Sequence, residues 1–226
     1  MKTYKRHAGQ ILLDEVVNDY DNFYITILTS RQWGKSLYLC EYAVRTCYNE
    51  GGNTIWYTAP SWGQCKIIWN KYIEPAYIRQ PKLFKSINLS NMRVVFKNGS
   101  SLQFKSVENY EKLRGETLTH LICDEYAYFR ENVYDKTLSP MLDRKGKRVI
   151  FCSTPRGKNC FYDVYCRGLE GHPSYVKGWV SFKGDIYQTE NQNYIDRILA
   201  KQLTLPDAYF RQEYLGEFVD AGGGVS

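Results

Sequence analysis

The sequence predicts an α/β fold: a mainly parallel sheet with helices on both faces, followed by a small C-terminal helical subdomain. Three observations carry this. Short apolar runs rich in β-branched and aromatic residues alternate with longer stretches of helical periodicity, the pattern of strand–helix–strand units. A single strong hairpin signal, Asn98-Gly99, marks an antiparallel excursion. Beyond residue 182 the strand-like runs stop and two amphipathic stretches take over.

In chain order, Phe23 to Leu28 reads as a buried strand, and Ser36 to Glu50 as a helix stopped by Gly51 and Gly52. Thr54 to Ala59 is the next strand, ended by Pro60. Ser61 is a suitable N-cap for a helix to Tyr72, with Pro75 bending or breaking the helix beyond that point. Arg93 to Lys97 and Ser101 to Lys105 flank the Asn-Gly turn. His120 to Cys123 and Arg148 to Cys152 are buried strands separated by a helical segment over Glu131 to Leu142, and Tyr175 to Phe182 is a further strand. Asn191 to Leu203 and Pro206 to Tyr214 read as helices, the second with Pro in its first turn. The expected organisation is a core over 1–182, a helical lid over 183–220, and linker composition (Ala-Gly-Gly-Gly-Val-Ser) over 221–226.

With 226 residues, 43% hydrophobic and 24% charged, the chain can bury a core without disulfides or structural metal. It lacks room for two nucleotide-binding domains side by side. No run reaches the roughly 18 apolar residues of a membrane span, and the N-terminus has no signal-peptide core, so an intracellular protein without membrane contact is expected. Seven cysteines with no C-x-x-C pair, and three scattered histidines, argue against zinc. The net charge of +6 is compatible with a polyanionic partner and cannot locate one.

The most informative segment is Thr29-Ser30-Arg31-Gln32-Trp33-Gly34-Lys35-Ser36, directly after a strand and directly before a helix. A phosphate-binding loop needs converging backbone N–H groups, a helix N-terminus, a Lys for the β and γ oxygens and a hydroxyl for Mg²⁺. Gly34, Lys35 and Ser36 complete the end of G-x-x-x-x-G-K-[ST], while Thr29 stands in place of the first Gly. The second segment, His120-Leu-Ile-Cys-Asp124-Glu125, is an apolar strand ending in two carboxylates. At the C-terminal edge of a parallel sheet the first can organise Mg²⁺ and the second can activate a water. Two adjacent acids after a strand also make an ordinary solvated turn, but the two segments together point to a P-loop ATPase of the ASCE (RecA-like) type. A third segment, Phe151-Cys-Ser153-Thr154-Pro155, closes another strand with hydroxyls suited to sensing the γ-phosphate, or simply a Ser-Thr-Pro turn.

On these residues the chain resembles the N-terminal ATPase domain of tailed-phage terminase large subunits, the motor that packages DNA into procapsids. The resemblance covers almost the whole sequence. It is carried by Gly9-Gln10, by Ser30 to Ser36, by Thr58-Ala59-Pro60, by Leu113-Arg114-Gly115, by Cys123-Asp124-Glu125, by Ser153 to Gly157 and by Glu213 to Phe218. Thr29 and Arg31 fit it, since the family often departs from the first Gly and places an Arg inside the loop. The resemblance implies that Gln10 reads adenine, against the alternative of a surface Gln on an N-terminal helix. It implies that Arg31 touches phosphate or the catalytic acid, that Asp124 organises Mg²⁺, that Glu125 is the catalytic base, and that Ser153 and Thr154 couple γ-phosphate loss to motion. Arg114 resembles an arginine finger inserted into the neighbouring subunit, with a charged loop or DNA contact as the alternative.

The implied function is hydrolysis of ATP with Mg²⁺ to translocate double-stranded viral DNA. The implied partners are the portal of a procapsid, the terminase small subunit and further copies in a ring, a pentamer in this family. The implied location is the host cytoplasm, transiently at the portal vertex and not in the mature virion. Arg144-Lys145-Gly146-Lys147-Arg148, or Arg156 and Lys158, are candidates for DNA phosphate contacts without sequence preference, with a solvated charged edge as the alternative. The rivals are a helicase-type translocase, which needs a second RecA lobe, and a nucleotide-gated DNA- or capsid-binding module that hydrolyses nothing. Complete terminase large subunits also carry a metal-dependent nuclease domain. Nothing after Phe218 encodes one, so the chain is expected to be a piece without DNA-cleaving activity.

Overall fold

The computed structural model describes residues 5–113 and 115–220. Along the chain run α1 (Ala8–Asn18), β1 (Tyr24–Thr29), α2 (Lys35–Asn49), β2 (Thr54–Ala59), α3 (Trp62–Ile68), α4 (Glu74–Arg79), β3 (Phe84–Asn88), β4 (Arg93–Phe96) and β5 (Ser101–Ser106). Then come β6 (His120–Asp124), β7 (Arg148–Ser153), α5 (Cys160–Arg167), β8 (Trp179–Gly184), α6 (Gln192–Gln202) and α7 (Asp207–Leu215). The expected α/β fold with a mostly parallel sheet is borne out. The chain forms two compact units, Ser36–Ile150 and Lys5–Lys35 with the residues from Phe151 onward.

In the first unit β2 lies between β5 and β6 and is parallel to both, with Thr58 opposite Lys105 on one side and Cys123 on the other. β3, β4 and β5 form the antiparallel excursion. Its Asn98-Gly99 turn has Gly99 at φ +86, and Asn98 donates to the carbonyls of Cys47 and Tyr48, satisfying the last turn of α2. β3 escaped the sequence reading because it shows no alternation: only Phe84 of its five residues is buried. Every residue of β6 is buried, as befits a strand covered on both faces.

Two helical expectations are altered by proline. Ser61 caps α3 through a reciprocal pair with Gln64, but the helix passes at Trp69–Ile73 into a wide π turn before α4. Pro75 has no N–H to give to Lys71, and it falls in the first turn of α4, where none is needed. Between β6 and β7 a π turn (Tyr134–Leu138) and a 3₁₀ turn (Ser139–Met141) replace the expected helix, since Pro140 cannot donate to Lys136.

The second unit holds β1 and β8, parallel from Tyr24 opposite Trp179 to Thr29 opposite Gly184. β8 starts four residues later than Tyr175, after Gly178 at φ +88 turns the chain. α5, absent from the sequence reading, is capped by Asn159, whose side chain accepts from Phe161 N–H. α6 and α7 stand within about two residues of expectation, with Pro206 preceding α7 as its N-cap. Ile186, Ile198, Phe210 and Tyr214 make a small core for this helical segment.

One buried titratable group lies at the foot of β6. His120 is 6% exposed, and burial, Arg148 and Lys147 push its pKa down to about 4 against the pull of Glu50. The folded imidazole therefore stays neutral where the unfolded one protonates. The free energy of unfolding should fall as pH drops from about 6.5 towards 4, by on the order of 3 kcal/mol. Urea melts of the chain and of His120→Gln across this range check it: the substituted chain should show a shallower pH slope, and equal slopes would refute the assignment.

Candidate nucleotide site

The phosphate-loop candidate is built in the second unit. β1 delivers Thr29, and the chain turns through two left-handed residues, Gln32 (φ 60) and Gly34 (φ 94), before α2 opens at Lys35. Gly34 is required twice over: for its φ, and because a Cβ there would sit 2.8 Å from Gln10 Nε2. Gln10 is 1% exposed on α1, so the surface alternative fails. Its Nε2 donates to Gly34 O at 3.4 Å and its Oε1 accepts from His7 N at 3.3 Å. The amide thus ties α1 to the loop.

The ring of Trp33, inside the candidate phosphate loop, is 1% exposed and packs as a plug. A Cβ at Gly184 would come within 2.7 Å of its ring, and one at Gly9 within 2.8 Å. His7 packs edge-on to it and donates from Nε2 to Trp33 O at 2.8 Å, while Trp33 Nε1 donates to Gln188 Oε1 at 3.2 Å. Around this anchor, Ser30 N donates to Gly184 O and Tyr194 Oη to Arg31 O. Arg31 and Gln32 are exposed. Arg31 pairs with Glu213 of α7 through Nε at 2.9 Å, and its N–H donates to Glu213 O at 2.7 Å. The hydroxyls of Thr29 and Ser30 are buried without a hydrogen-bond partner among the described residues.

The acid end is built in the first unit. Asp124 is fully buried, and its Oδ2 accepts from Ser36 Oγ at 2.8 Å and from Tyr57 Oη at 2.5 Å. Its Oδ1 accepts from Glu125 N at 3.0 Å. Glu125 itself sits in the left-handed region (φ 54, ψ 43), a conformation costing a non-glycine residue roughly 1 kcal/mol and held here by the 3₁₀ turn at Tyr126–Tyr128. Cys40 on α2 is pushed well above the ordinary thiol range, first by burial and then by the Asp124 charge, so it stays a neutral thiol. Tyr57 had no sequence signal as a functional residue beyond preceding Thr58-Ala59-Pro60.

A serine hydroxyl in the first turn of a helix, bonded to a strand-end aspartate, is an arrangement found in P-loop nucleotide sites. The family model described as terminase large subunit, T4likevirus-type, N-terminal, matches residues 26–225. The chain belongs to this family. It is 27% identical to the terminase large subunit of Thermus phage G20c, over 86% of this chain and 46% of that protein. It is 25% identical to that of Escherichia phage T5, over 94% and 48%. It therefore spans about half the length of the curated relatives it matches. The large terminase ATPase domain of Thermus phage P74-26 superposes with a TM-score of 0.79 at 25% identity, covering 96% of this chain and 95% of that one.

In this terminase chain Ser153 and Thr154, at the end of β7, are buried, and Gly157 just beyond donates to Gln212 Oε1 of α7 at 3.1 Å. Arg114 lies outside the described residues. Of the basic run, Arg148 is buried and Lys147 pairs with Glu50, leaving Arg144 and Lys145 exposed; Lys158 pairs with Asp220 at 2.8 Å. No helix is long and apolar enough to cross a membrane among the described residues. Glu213 stood in the family-like segment at the chain's end without a role, and its link to Arg31 is set by packing alone.

Proposed function

We propose that this chain is the ATPase motor region of a terminase large subunit, hydrolysing ATP with Mg²⁺ to drive double-stranded viral DNA into a procapsid. The observation that carries it is the 2.8 Å bond from Ser36 Oγ to Asp124 Oδ2, which joins the hydroxyl directly after Lys35 to a fully buried strand-end carboxylate. A buried carboxylate beside a hydroxyl is the oxygen donor set that Mg²⁺ prefers, so the residues fit the ion, with Ser36 and Asp124 holding it. When bound, the ion neutralises charge on the β and γ oxygens.

The chain's own residues supply the rest. The N–H groups of the loop from Thr29 to Gly34 and the N-terminus of α2 cradle the phosphates, and Lys35 takes the β and γ oxygens. Glu125, turned out by its left-handed backbone, accepts the proton of the attacking water. Arg31 contacts the γ-phosphate, and Arg114 supplies charge from the neighbouring copy. Gln10 fixes the loop and faces the base side. Ser153 and Thr154 register phosphate loss, and the helical segment 183–220 acts as a lid. The packaging reading entails duplex DNA, a portal, a small subunit and a ring of copies, a pentamer, working in the host cell at the portal vertex.

The test is steady-state phosphate release at high protein concentration, with and without duplex DNA and portal. Mg²⁺-dependent release, accelerated by portal, with a forked duplex left unseparated, is the expected result. Nucleotide binding with no hydrolysis under any condition would favour a gated binding module, and strand separation a helicase.

A further inference from the structure

α7 touches two segments of the site with consecutive side chains. Gln212 Oε1 accepts from Gly157 N just beyond Ser153-Thr154, and Glu213 holds Arg31 in the phosphate loop by both backbone and side chain. Glu213 is an unusual residue to find there. It is 6% exposed, and its Oε2, the oxygen nearest Arg31, is buried with no hydrogen-bond partner among the described residues. Arg31 by contrast has a side chain 58% exposed. A buried carboxylate facing one half-exposed guanidinium depends on that cation for its compensation.

The geometry favours a second partner on the far side of the arginine. Glu213 approaches Nε, and the end-on edge formed by Nη1 and Nη2 is a second edge through which an arginine makes bidentate phosphate contact. The backbone on either side is pinned as well: Ser30 N to Gly184 O at 3.0 Å, and Arg31 O by Tyr194 Oη at 2.9 Å. Gly216, in the left-handed conformation at the end of α7, comes so close that a Cβ there would lie 3.2 Å from Gly184 O and 3.5 Å from Ser30 N. The helix end and the loop therefore approach each other at backbone distance.

We infer that Glu213 is the positioning residue for Arg31, aiming its guanidinium at the terminal phosphate and tying α7 to the presence of that phosphate. The inference rests on the nucleotide site proposed above. When the phosphate leaves, the charge shared by the guanidinium changes on one side only, and the strain falls on α7 and, through Gln212, on the segment after β7. Diphosphate and triphosphate should thus differ in how far they depend on Glu213.

The test is a double-substitution cycle on the 226-residue chain, reading affinity for a fluorescent ATP and ADP analogue together with single-turnover phosphate release. Glu213→Gln keeps the shape of the side chain, and circular dichroism verifies its fold. Arg31→Ala and Glu213→Gln should each weaken ATP binding or slow release by about tenfold while changing ADP affinity by less than about twofold, and Glu213→Gln should add nothing in the Arg31→Ala background. Additive losses, or equal losses for ATP and ADP, would overturn the inference by assigning Glu213 to the fold alone. Failure of the unsubstituted chain to bind either nucleotide would overturn the site assignment, and the inference with it.

Discussion

Glu125→Gln should bind ATP with near-normal affinity and turn it over at least about 10²-fold more slowly, the loss expected when a general base is neutralised in place. The backbone at this position makes the substitution clean. Glu125 is held at φ 54 and ψ 43, its N–H donates to Asp124 Oδ1, and its carbonyl accepts from Tyr128 N. Glutamine tolerates the left-handed region no worse, so the carboxylate charge is the only thing removed. Single-turnover phosphate release alongside nucleotide binding measures it, and near-normal hydrolysis would sink Glu125 as the base. The same variant reports on Arg114. If that arginine acts across a subunit boundary, Arg114→Ala should also bind ATP and fail to hydrolyse it. Mixing the two inactive chains should then restore part of the rate, because some interfaces pair an intact Glu125 with an intact Arg114. No recovery on mixing, with both chains assembled, would place the finger elsewhere.

Trp33→Ala should be the most damaging single substitution for stability in the loop. The ring is 1% exposed, wedged against Gly9 and Gly184 and tied by its Nε1 to Gln188. Emptying such a site costs about 3–5 kcal/mol, which for a domain of this size corresponds to a fall in melting temperature of roughly ten degrees. Nucleotide affinity should fall in parallel, since the ring that anchors the loop against His7 and Gly184 is gone. A thermal melt with a parallel binding titration decides. An unchanged melting temperature with weakened binding would show that the ring serves the nucleotide and not the stability of the loop.

The two predictions mark different degrees of legibility. The acid pair was readable because the chemistry itself is local in sequence: an apolar strand must deliver the carboxylates to the sheet edge, and His120 to Glu125 spells that out in six letters. The phosphate loop was readable for the same reason, since Gly34, Lys35 and Ser36 meet a need of adjacent backbone atoms. The burial of the Trp33 ring was not readable, because membership in a loop says nothing of which way a side chain faces. Its burial depends on two glycines, Gly9 and Gly184, that lie far from it along the chain. The burial of Gln10, with an amide engaged by His7 and Gly34, was equally out of reach of the sequence.

Proline and edge effects account for three further departures. Pro75 and Pro140 turned expected α-helix into π and 3₁₀ turns, because a missing N–H is a local fact whose outcome depends on what the neighbouring turns can do. β3 carries too little apolar surface to announce itself and exists because β4 offers it an edge.

By itself, the sequence determined the alternation of strands and helices, the phosphate loop, the acid pair and the family, since each rests on residues adjacent in the chain whose patterns need no partner. Only the tertiary structure decided that Tyr57 shares Asp124 with Ser36, that Trp33 is a plug, and that a buried glutamate on α7 grips the loop arginine. Those are relations between residues tens to nearly two hundred positions apart, created when burial removes water and leaves each polar group to find its partner among whatever the fold brings near.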